Sequence, residues 1–161
     1  MSSQPSSDGA RGARPREEYT SSVEAVMFIR FICAEVDRDS QVRAGIFTAA
    51  GRLRDSEGLP DYEFDALMSL AEWFNENLDK PTRFSRSKRA EEKYRAVCWF
   101  KPTAREHIAR AWELVWILER NDVLIDVVKA ERVGYVVYED DFQVAAEPYY
   151  ETRFRRGGRF C

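Results

Sequence analysis

His107 is the only histidine in the 161-residue chain, so a Ser/His/Asp or Cys/His relay would have to run through it. A general base also needs a nucleophile within hydrogen-bond reach, which sequence does not place. At helical spacing His107 lies over Ala111, Leu114 and Leu118, on the edge of an apolar face, where a structural histidine is the commoner outcome. Cys33, Cys98 and Cys161 are far apart and odd in number. They form no CxxC pair and sit near no histidine cluster, which argues against zinc and fits a reducing compartment. No cofactor is expected.

Two carboxylate groups offer a different chemistry. Glu35, Asp37 and Asp39 alternate at the end of an apolar run, and Glu139, Asp140 and Asp141 close another. Were the two to meet, they would supply the oxygen ligands that Mg²⁺ prefers, and Lys101 nearby would make metal-assisted phosphodiester hydrolysis conceivable. Asp37, Asp39 and Glu139 are the metal candidates. Acids also collect at strand ends and hairpin turns because they are solvated there and cap neighbouring helices, so no metal is favoured.

The segment from Arg83 to Arg95 is basic, and its Arg83, Arg86, Lys88 and Arg89 are interleaved with Phe84 and Ser85. Arginine forks beside an aromatic ring suit phosphate oxygens and bases. Lys101, just before a helix start at Thr103 and Ala104, could add to an anion site. Upstream, residues 55–79 carry eight acids and no Lys or Arg until Lys80. Acidic helix and basic loop could pair with each other or present two faces to other chains. Trp73 and Trp116 lie at the margins of their apolar stripes; if exposed, with Glu72 and Glu76 beside Trp73, they would anchor a protein interface. Gly134 and the Glu147-Pro148 stop read as turn chemistry, since no GxGxxG or P-loop pattern accompanies them.

These residues must be held by elements that hydrophobic patterning outlines. Residues 1–18 are rich in Ser, Gly, Pro and Arg and read as a disordered tail. Residues 25–33, dense in β-branched and aromatic side chains, read as a central strand, with a helix capped at Ser21 as the competing reading. Asp39 or Ser40 would cap a helix burying Val42, Ile46, Ala49, Ala50 and Leu53. A second helix follows Pro60-Asp61, buries Phe64, Leu67, Leu70, Ala71, Phe74 and Leu78, and ends before Pro81, completing an α-hairpin. Residues 96–101 read as a strand stopped by Pro102. Thr103-x-x-Glu106 matches a capping box opening a helix whose apolar face is Ala104, Ile108, Ala111, Trp112, Val115 and Leu118, with Asn121 as its stop. Three short strands follow at 123–129, 134–139 and 142–146, and 151–161 reads as a basic flexible tail.

The order β-α-α-β-α-β-β-β over residues 19–150 points to one α+β domain with a mixed or antiparallel sheet of about five strands and three main helices on one face. An apolar fraction of 44% and a net charge of -3 are those of a globular protein without an overall field for nucleic acid. Residues 1–18 lack the apolar core of a signal peptide, and no apolar run reaches membrane-spanning length, so a cytoplasmic protein with no membrane partner is expected. The leading functional expectation is a small intracellular binding or regulatory module acting through protein contacts. Nucleic-acid or phosphate binding through the basic segment is second, and the metal-assisted hydrolase third.

Overall fold

The computed structural model describes residues 25–38, 43–88 and 96–149. The two tails, Asp39, Ser40, Val42, Arg89 and Arg95 lie outside these residues. What is described is an α+β fold: β1 (Phe28–Cys33), α1 (Ile46–Arg54), α2 (Asp61–Asn77), β2 (Val97–Phe100), α3 (Arg105–Arg120), β3 (Ile125–Ala130), β4 (Tyr135–Glu139) and β5 (Gln143–Glu147). All pairings are antiparallel, in the order β3-β1-β2-β5-β4.

Period-two alternation in the strands divides the sheet into two apolar faces. Ile29, Phe31, Phe100, Ile125 and Val127 meet the three helices in the main core. Phe28, Val97, Trp99, Val128, Val144 and Ala146 form a second cluster on the far side. Among the described residues no helix packs on this second face, and topology explains how it is covered. β3 and β4 are opposite edges of the sheet, yet five residue steps join Ala130 to Tyr135, a reach of at most about 18 Å. Four strand spacings alone come to about 19 Å in a flat sheet. Ala130 is also level with the start of β1 and Tyr135 with the end of β5, which lengthens the path. The sheet therefore curls, and its connection passes beneath the second cluster, where Val133 is buried. Gly134 makes the closure possible: its φ is +123°, and a Cβ there would overlap the Glu147 carbonyl oxygen.

Several local expectations are corrected. The first helix begins at Ile46, because residues 44 and 45 are extended against β1: Cys33 N donates to the Ala44 carbonyl at 2.8 Å, and Gly45 bridges Ile32. The capping box at Thr103 does not form. Ala104 is the N-cap without a side-chain bond, and the Thr103 carbonyl is taken by the Arg105 amide at 2.8 Å. The second helix ends at Asn77, short of Pro81 as the spacing predicts. Its Phe64 is exposed while Glu63 is buried. The consecutive helices α1 and α2 touch one another, and each packs more closely on α3. On α3 the buried face is rotated, with His107, Leu114 and Ile117 inside and Trp112 exposed.

Candidate functional site

The α2–α3 seam is fastened at both ends by buried polar groups. At one end, Glu63 accepts from Arg120 Nε at 2.9 Å and from Asn121 Nδ2 at 2.7 Å. The Asn121 amide, aided by Arg120 and Tyr62 and against the cost of desolvation, holds the Glu63 carboxyl below its usual range. At the other end, His107 Nε2 lies 2.8 Å from the Asn77 carbonyl, one of the carbonyls that a helix C-terminus leaves without an intrahelical partner. The imidazole therefore donates there. Its ring is stacked on Phe142 with centroids 4.1 Å apart and meets Trp73 edge-on at 5.0 Å. His107 is thus a satisfied histidine buried among rings.

These ties leave an aromatic surface on the outside of the seam. A groove of about 780 Å³ runs between the helices, with Tyr62 and Trp73 on α2 and Trp112 and Trp116 on α3. Trp112 is 50% and Trp116 59% exposed. Trp112 still reaches the core, since its ring meets Phe31 edge-on at 5.2 Å. Trp116 carries the Arg120 guanidinium 4.6 Å above its ring, and Arg110 stands 5.4 Å from the Trp73 centroid. Such cation–π pairs hold the indoles in fixed orientations, which lowers the entropy cost of binding through them. Glu72 and Glu76 are exposed on α2 beside half-buried Trp73.

A second concavity lies between α1 and α2. This cleft of about 380 Å³ is mainly apolar, with Leu67, Phe74 and Leu114 inside, Phe47 and Met68 at its mouth, and Cys98 and Gln143 reaching it from the sheet. Burial pushes the Cys98 thiol above its usual value, with only partial relief from Arg30.

The remaining candidates are scattered. Arg86 N and the Ser85 hydroxyl donate to Glu147 Oε1 at 2.7 and 3.0 Å, and Arg86 Nε donates to Oε2 at 3.0 Å. Arg86 also stands 4.0 Å over the Tyr135 ring. Burial alone would raise the Glu147 carboxyl, but these donors outweigh it and the group is held low. Arg83 turns back onto the Ser85 and Arg86 carbonyls. Lys88 is exposed. Lys101 pairs with Glu139 at 2.7 Å and sits where β2 ends, level with the start of β5, whereas Glu147 ends that strand. Arg86 and Lys101 are thereby separated by the length of β5. Asp37 pairs with Arg52 at 2.7 Å, and Glu139 is level with Val144 on the far part of the sheet. Among the described residues no group of three or more His, Cys, Asp or Glu is placed to hold a metal ion.

Residue type and spacing single out Trp73 and Trp116 but assign Trp112 to the core and leave Tyr62 unmarked. The available signal is a second heptad-like spacing on α3, through Arg105, Ala109, Trp112, Trp116 and Glu119. No helix among the described residues is long and apolar enough to cross a membrane. Comparison with protein-family models, curated proteins and solved structures finds no match.

Proposed function

We propose that this chain is a small intracellular binding or regulatory module whose α2–α3 face makes contact with other proteins. The observation that carries the reading is the pair of neighbouring indoles, Trp112 and Trp116, half or more exposed on one side of a helix whose opposite side is fully buried. Tryptophan held by arginine is the composition of interface anchors, and large exposed apolar groups that adjoin one another mark interaction surfaces. The apolar cleft at α1–α2 is spatially separate and supplies a control.

The test compares proteins retained from cell extract by immobilised wild type, Trp116→Ala, Tyr62→Ala and the cleft-mouth variant Met68→Ala. A species held by wild type and Met68→Ala and lost with Trp116→Ala and Tyr62→Ala is expected. Equal retention by all four, or loss only with Met68→Ala, would contradict the reading.

A further inference from the structure

α3 carries two seams of the same spacing. The inner one, His107, Ala111, Leu114 and Leu118, is buried against the chain's own helices and sheet. The outer one, Arg105, Ala109, Trp112, Trp116 and Glu119, is exposed at all five positions. Its steps of four, three, four and three residues are those of a coiled-coil a/d stripe. At 100° per residue the five side chains occupy an arc of about 80°. From Arg105 to Glu119 the stripe runs about 21 Å along the helix.

We infer that the occupant of this outer seam is a second copy of the chain, with α3 packed antiparallel on α3 across a twofold axis at Trp112. The inference rests on the reading of this face as a protein-contact surface, and the order of residues along the stripe chooses the partner. A cation stands at one end and an anion at the other; among the described residues neither Arg105 nor Glu119 makes an ion pair within its own chain. A small residue, Ala109, lies on one side of Trp112 and a large one, Trp116, at nearly the same distance on the other. Reversing the stripe brings Arg105 of each copy to Glu119 of the other, sets Trp116 over Ala109, and places the two Trp112 rings together. A parallel pair would oppose Arg105 to Arg105, Glu119 to Glu119 and Trp116 to Trp116, which like-charge repulsion and steric overlap disfavour. A self-complementary patch of this kind is what an isologous interface requires. Antiparallel α3 dipoles act in the same direction.

Sedimentation velocity on the full chain from about 1 to about 100 µM tests it, a range that brackets association through a short two-heptad seam. The expected result is a shift from one chain mass to two. Arg105→Glu and Glu119→Arg, both at exposed positions, should leave the circular dichroism spectrum unchanged and move the midpoint to about tenfold higher concentration. An equimolar mixture of these two variants should associate as wild type does, because the carboxylate introduced at position 105 of one copy then meets the guanidinium introduced at position 119 of the other. One chain mass at every concentration overturns the inference, as does a dimer that neither reversal weakens or that the mixture does not restore. If the chain stays single while Trp116→Ala still abolishes retention of another protein, the occupant is that protein and the protein-contact reading stands. If retention also ignores Trp116, both fail.

Discussion

Arg120 stacks on exposed Trp116 at 4.6 Å while its Nε donates to buried Glu63 at 2.9 Å. One side chain thus couples the outer aromatic surface to the polar clamp that sets α2 against α3. The surface is held by the same contacts that hold the fold, and the two can be separated by substitution.

Glu63→Gln should lower the melting temperature near neutral pH, since Glu63 is buried and accepts from both Asn121 and Arg120. Its folded-state value is depressed, so its stabilising contribution is complete above the unfolded carboxyl value, about 4.3, and disappears as pH falls through the lower folded value. The gap in melting temperature between wild type and variant should therefore close in acid. A gap that widens on acidification would show the opposite shift.

Trp112→Ala and Trp116→Ala should differ in thermal unfolding although both rings are exposed. Trp112 covers Phe31, and its loss should cost about 2 kcal/mol, below the figure for a fully buried ring because half its surface is already solvated. Trp116 is 59% exposed and stacks with Arg120, and its loss should cost under about 1 kcal/mol. Equal losses would mean that Trp116 is core.

Gly134→Ala should be among the most damaging single-methyl changes in the described residues. It combines backbone strain at positive φ with overlap on the Glu147 carbonyl, and a loss of more than about 3 kcal/mol is expected in denaturant unfolding. Unchanged stability would refute the close passage of the 131–134 connection beneath the curled sheet.

Much of this is legible from patterning. Strand-forming runs and the two long apolar periodicities outline every element in its order, because burial of one face imposes periods of two and 3.6 on any chain. What patterning does not show is which flank of α3 is covered. Ala111, Trp112 and Leu118 lie on one wide face by residue type, but α2 packs on the His107–Leu114 side, and Glu63 and Asn77 decide that side through contacts distant in sequence. Thr103 and Glu106 match a cap by type, yet the turn at Pro102 takes the Thr103 carbonyl for the Arg105 amide and starts the helix at Arg105. The basic segment looks available for anions because sequence does not reveal that Arg86 meets Glu147, 61 residues away.

Glu147→Ala should destabilise the chain by about 1–3 kcal/mol, because the Ser85 hydroxyl and the Arg86 amide lose their acceptor. The double variant Ser85→Ala/Glu147→Ala should cost less than the sum of the single changes, measured by a denaturant double-mutant cycle. Strict additivity would mean that the contact contributes nothing.

Hydroxyl-radical footprinting addresses the central claim most directly, by comparing the dilute purified chain with the chain in concentrated cell extract. Protection of Trp112, Trp116 and Tyr62, with Phe47 and Met68 at the cleft mouth unchanged, is the expected result. Unchanged labelling of the two indoles, or protection confined to the cleft mouth, would contradict a protein-contact role for the α2–α3 face.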